Sequence, residues 1–171
     1  PPSVPGIEDL SPIEVRAHGD EKDLLAVILT GDGGWAEIDK ELAGALAKAG
    51  VPVVGLSSLS YFWTPRTPEG AAKDLARLVE HYTAAWKKAR VLLVGYSFGA
   101  DVLPFLAGRL PPPLRSRVAG VGLLGLSDRA SFEFHVTSWL GGGGDARYPT
   151  VPEVKRLTMP VVCVLGADEK D

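Results

Sequence analysis

The sequence predicts an α/β fold on a mainly parallel sheet, and three observations carry that reading. Short continuous apolar runs, suited to strands buried on both faces, recur along the chain. Segments of helical periodicity stand between them, so strand and helix alternate. A serine flanked by small residues, Gly95-Tyr96-Ser97-Phe98-Gly99, lies where one apolar run ends and a helical segment starts.

The first strand is "IEVRA" (13 to 17), whose apolar and polar residues alternate as in an edge or half-exposed strand. "LLAVIL" (24 to 29) is the second. Ile38, Leu42, Ala45, Leu46 and Ala49 then fall on one helical stripe, and Gly50 follows where a left-handed C-terminal cap belongs. "VPVVGL" (51 to 56) is the third strand. Thr67-Pro68 opens the next helix as cap and first residue, with Leu75, Leu78, Val79, Tyr82 and Trp86 as its buried stripe. "VLLV" (91 to 94) leads into the serine, where a third helix starts and runs toward Leu110; Pro111-Pro112-Pro113 must end it. "VAGVGLLGL" (118 to 126) and "PVVCVL" (160 to 165) complete the sheet, with a short helix over 152–157 before the last. The glycine run 141–144 reads as a mobile loop, since a strand still follows it.

With 171 residues and 46% hydrophobic content, the chain can build one sizeable core, and a single domain over 1–171 is expected. A net charge of −3 with interspersed signs excludes the basic field that binds nucleic acid or anionic lipid non-specifically. Cys163 is the only cysteine, so no internal disulfide or thiol metal site is expected, and no metal or other cofactor is implied. No apolar run approaches the roughly 20 residues of a membrane span, and "PPSVPG" lacks the regions of a signal peptide. The sequence therefore reads as cytoplasmic, or as exported with its signal removed.

Strand, serine and helix in this order form a nucleophile elbow, a sharp turn that holds the serine Oγ clear of the sheet edge. Such a nucleophile needs donors for a developing oxyanion. The backbone N–H of Phe98 is one, and the glycine-rich loop "TGDGGW" (30 to 35) offers that of Asp32 as the second. The alternative, a phosphate cradle, lacks both G-x-G-x-x-G and a P-loop lysine, and Asp32 repels phosphate. Activation needs a histidine held by a carboxylate. The acid is expected after the last strand among Asp168, Glu169 and Asp171, where spacing from Gly166 favours Glu169; Asp128 in "GLSDRA" is a further candidate. His18 and His81 read as solvated. His135 in "FEFHV" reads as substrate wall or structural residue, with the base as its alternative role. The chain order nucleophile, acid, histidine puts the base after the final strand, so it is expected beyond Asp171, together with a last strand and helix.

"GDGGW", "YFWTPRTPEGAAKDLARL", "VLLVGYSFGADVLPF" and "FEFHVTSWLG", in this order, resemble the family of the bacterial virulence protein VirJ and the related C-terminal domain of AcvB. The resemblance implies an α/β-hydrolase-like fold with helices on both sheet faces and a periplasmic location. It also implies hydrolysis of the aminoacyl ester of aminoacyl-phosphatidylglycerol, or a role in type IV secretion. Ser97 matches the family's nucleophile and residues 168–171 the region of its acid. The leading expectation is thus a serine esterase acting on a lipid or small-molecule ester, with secretion-system proteins as partners and no nucleic acid. Its rivals are a non-catalytic binding protein on the same fold and an acyl transferase. Trp35, Tyr61, Glu133 and His135 are the substrate-binding candidates. Asp32 and Glu133 suit a protonated amine, while Tyr61, Phe62 and Trp63 suit either an apolar wall or ordinary packing. Arg66 and Lys73 suit a lipid phosphate or plain solvent exposure.

Overall fold

The alternating segment and the five apolar runs are the strands of one sheet in the computed structural model, which describes residues 6–136 and 147–167. They are β1 (Ile13–Val15), β2 (Leu24–Leu29), β3 (Val53–Leu56), β4 (Arg90–Tyr96), β5 (Val118–Leu124) and, after a two-stranded ladder of β6 (Arg129–Ala130) and β7 (Tyr148–Pro149), β8 (Val161–Val164). The order across the sheet is β1-β3-β2-β4-β5-β8. Only β1 is antiparallel, to β3; the other pairings are parallel.

Alternation along β2 explains the layers. Leu25, Val27 and Leu29 join the larger core on one face, while Ala26 and Ile28 join the smaller core on the other. The smaller core is covered by α1 (Glu37–Lys48); after β3 comes a single turn, α2 (Ser58–Tyr61), and the larger core is covered by α3 (Pro68–Ala85) and α4 (Phe98–Gly108). Helices on both faces follow from a parallel sheet with apolar residues on both sides.

Sequence signals at the start of α3 work as predicted. The Thr67 side chain accepts from Gly70 N at 3.0 Å, Pro68 occupies the first turn, and Leu75, Leu78, Val79 and Tyr82 are buried. Helix α1 departs from its predicted stripe. It buries Asp39, Ala43 and Ala47 and leaves Ile38 40% exposed, because small alanines let the helix close on the sheet. Asp39 serves the helix start, its Oδ2 accepting from Ala36 N at 3.0 Å. The proline run does not end α4, which stops at Gly108; Pro111 caps a short α5 (Pro112–Arg115), where proline at the first position needs no donor. The last helix is α6 (Val151–Arg156). β8 was expected to be buried on both faces, yet Val162, Val164 and Leu165 are more than half exposed, because among the described residues it is an edge strand paired only to β5. The glycine run 141–144 lies outside the described residues.

Candidate active site

Neighbouring strand ends bring the site together. Ser97 follows β4 with φ 51° and ψ −114°, a conformation rare for a residue with a side chain and costing on the order of 1–3 kcal/mol. Its N–H donates to Leu124 O at 2.8 Å, and its C=O accepts from Asp101 N at 3.1 Å. The flanking glycines have a steric reason. A Cβ on Gly95 would stand 2.5 Å from Gly99 O, and one on Gly99 would overlap Leu29 O and Thr30 O. The first turn of α4 thus rests directly on the end of β2. Among the described residues, nothing bonds to the Ser97 hydroxyl, and the residue is half-buried.

Phe98 opens α4, so its N–H is one of the unpaired donors at the positive end of a helix. The loop carrying Asp32 comes to the same place. Gly31 packs so closely that a Cβ on it would lie 3.5 Å from Ser97 Cβ and 3.3 Å from Tyr96 Cδ1. A turn closes when Gly34 N donates to Gly31 O at 3.2 Å, with Gly34 at φ +73°. Thr30 braces it from beneath. Fully buried, its hydroxyl donates to Gly31 O and accepts from Ser58 N, both at 2.9 Å. The sequence reading passed over Thr30, although it opens the glycine loop.

Asp101 is the second residue the sequence reading missed. Its signal is a lone carboxylate in the otherwise uncharged helix FGADVLPFLAG, one turn after the serine. Its Oδ1 accepts from Ser127 N at 2.7 Å. Burial pushes the Asp101 carboxyl up to about 6, opposed by the Ser127 hydrogen bonds and reinforced by the charge of Asp128. Asp128 lies in the exposed loop after β5, its carbonyl accepting from the N–H of Thr150 at 3.0 Å. Buried Thr150 also donates its hydroxyl to Ser127 O at 2.5 Å.

Glu133 and His135 line a cavity of about 210 Å³ with Arg66, Arg147, Phe132 and Tyr148. His135 Nε2 stands 3.5 Å from Glu133 Oε2. The segment is tied to the loop after β3, Arg66 N donating to Phe132 O at 2.9 Å and Phe134 N to Phe62 O at 2.8 Å. A ring path, Phe98 tilted against Phe62 at 5.2 Å and Phe62 edge-to-face with Phe132 at 5.9 Å, runs from the elbow to this cavity.

Two of the substrate-binding candidates pack into the fold. Tyr61 is 5% exposed, and its hydroxyl donates to Asp74 Oδ2 at 2.5 Å; burial and that bond raise its pKa, so it is a core residue. Trp35 lays its ring over Gly55, where a Cβ would collide with it, and so fills the α1 side of the sheet. Phe62 is buried too, leaving Trp63, 61% exposed and stacked on Phe134, as the exposed aromatic of the three at 61–63. His18 is exposed beside α1, and His81 packs its ring on Tyr82 in α3. Lys73 is exposed. Asp168, Glu169 and Asp171 lie outside the described residues.

The model of the bacterial virulence protein VirJ family matches residues 23–171. The chain belongs to the VirJ family. The match starts just before β2 and takes in the glycine loop, the elbow and the cavity segment alike. Solved structures similar to this VirJ-family chain share its fold. Est1E from Butyrivibrio proteoclasticus is 14% identical at a TM-score of 0.62, with 91% of this chain and 72% of that one covered. An alpha-beta serine hydrolase homologue from Coxiella burnetii is 16% identical at 0.56, with 91% and 80% covered. An open-form lipase is 17% identical at 0.51, and there the chain spans only 39% of the neighbour's length. These neighbours establish an α/β-hydrolase fold. No curated protein matches the chain.

Proposed function

We propose that this VirJ-family protein is a serine esterase working through an acyl-enzyme. Ser97 Oγ attacks the ester carbonyl carbon and loses its proton to a histidine; the Phe98 and Asp32 N–H groups hold the oxyanion. Collapse expels the alcohol, which takes the proton back from the histidine, and water then releases the acid by the same steps in reverse. The proposal takes the acid from Glu169, with Asp168, Asp171 and Asp128 as alternatives, and of the chain's own histidines His135 is the candidate for the base. The observation that carries the reading is the strained serine at φ 51° lodged between the start of α4 and the turn at Gly31. Strain of this kind persists where the surrounding structure enforces it, commonly at functional sites. A fluorophosphonate probe on the complete natural protein is expected to label Ser97, read by mass spectrometry of the modified peptide. Absence of label, or label elsewhere, would sink the esterase reading and leave a secretion-associated binding protein in front.

For substrate we propose the aminoacyl ester of aminoacyl-phosphatidylglycerol, met in the periplasm. Family membership supports this, as do two carboxylates suited to an α-ammonium, Asp32 in the loop against Ser97 and Glu133 in the 210 Å³ cavity. Arg66 and Arg147 in that cavity suit the lipid phosphate. Asp32→Asn and Glu133→Gln are each expected to cut the preference for lysyl- or alanyl-phosphatidylglycerol over a neutral short-chain ester by about 10-fold in kcat/KM. Turnover of the neutral ester should stay near wild type. Unchanged ratios in both variants remove these carboxylates from specificity.

A further inference from the structure

We infer that Asp101 is a positioning residue for the nucleophile: its carboxylate ties the first turn of α4 to the loop after β5, and so holds Ser97 in its rare conformation with Asp128 fixed nearby. The inference rests on the reading of Ser97 as nucleophile.

A closed ring of bonds surrounds the serine. Ser97 N donates to Leu124 O at the end of β5, and Gly125, at φ +70°, turns that chain back. Ser127 N then donates to Asp101 Oδ1 at 2.7 Å, and Asp101 N returns to Ser97 O at 3.1 Å. The serine therefore sits in a loop closed from both sides. A strained residue stays strained only when it is over-determined, and the one side-chain link in this ring is the Asp101 carboxylate. Fold alone does not ask for a charge here. Ala100, Val102, Leu103, Phe105 and Leu106 are buried, while Asp101, half-buried, is the one charged residue of α4.

The surrounding charges sharpen the point. Asp128 is the charged group facing it from the loop after β5, and it repels rather than neutralises. The ion pairs that other helices bring to α4, Glu69 of α3 and Glu153 of α6, meet Arg109 at the opposite end. Asp101 is thus a carboxylate held without a cationic partner among these groups. Its value is the charge-assisted bond to Ser127, with Thr150 gripping the same loop from the far side. Asp128, the acid candidate of this loop, takes its position from both.

The test uses the complete natural protein as wild type, Asp101→Asn and Asp101→Ala. Asn keeps a carbonyl acceptor, so a several-fold fall in the rate of Ser97 labelling by fluorophosphonate is expected; Ala removes the tether, and a fall of about 100-fold is expected. On p-nitrophenyl acetate the loss should appear in kcat, with KM within about two-fold of wild type. The raised carboxyl sets the sign of the pH dependence: the folded state favours its protonated form, so the wild type gains stability relative to both variants as pH falls through about 6. Amide exchange at Ser127 and across the start of α4 should quicken at least about 10-fold in Asp101→Ala. Labelling of Asp101→Ala at the wild-type rate overturns the inference, and so does a loss of labelling that tracks a lower Tm. A wild type that is not labelled overturns the esterase reading instead, and unchanged amide exchange then overturns the tether by itself.

Discussion

Gly99→Ala is expected to destabilise the protein by about 3 kcal/mol or more and to abolish labelling of Ser97. The added Cβ would overlap Leu29 O and Thr30 O, both backbone atoms. A flexible side chain could swing away from such a contact; the end of a central strand cannot, because β2 is hydrogen-bonded to β3 on one side and β4 on the other. The first turn of α4 must move instead. Moving it carries the Phe98 N–H away from the Asp32 loop and breaks the bond between Ser97 N and Leu124 O. Gly44→Ala is the matched control, since a Cβ there meets nothing within 4 Å and alanine favours α1 by about 0.5–1 kcal/mol. Urea unfolding of both variants checks the pair. Equal midpoints for the two would mean that the close approach of α4 to β2 is not as described.

Ser97→Gly should separate chemistry from strain. Turnover is expected to fall by about 10⁴-fold or more, the scale on which serine hydrolases lose rate without their nucleophile. Stability is expected to rise by about 1 kcal/mol, because φ 51° with ψ −114° is open to glycine and strained for serine. Ser97→Ala should lose the same rate without the gain, since its Cβ keeps the strain. Retained ester turnover in both variants would remove Ser97 from the mechanism. A fall in the glycine variant's melting temperature would show that the serine side chain contributes to the fold.

The strands were legible because each needed only its own composition: a run such as "LLAVIL" has no polar face to offer solvent, wherever it stands. The elbow was legible for a similar reason, since Gly95, Ser97 and Gly99 are local requirements of one tight turn. What escaped depends on partners remote in the chain. Tyr61 looks like a site aromatic until Asp74 accepts its hydroxyl, and Trp35 until Gly55 is found beneath its ring. Asp101 shows its purpose only beside Ser127. The stripe of α1 was misread because hydrophobicity favours Ile38, whereas close packing favours Ala43 and Ala47.

The pairing of β2 with β4 has a consequence in time. Gly31 follows one of these strands and Ser97 the other, and the register that sets Leu29 opposite Gly95 brings the two together. A whole helix–strand–helix excursion separates them in sequence, so the pairing is a non-local, parallel contact of the kind that forms slowly. No early helix or local turn can assemble the site in advance. Probe reactivity at Ser97 therefore marks the moment when the central sheet closes, and a refolding experiment quenched with fluorophosphonate would read the last stages of folding from the chemistry of one side chain.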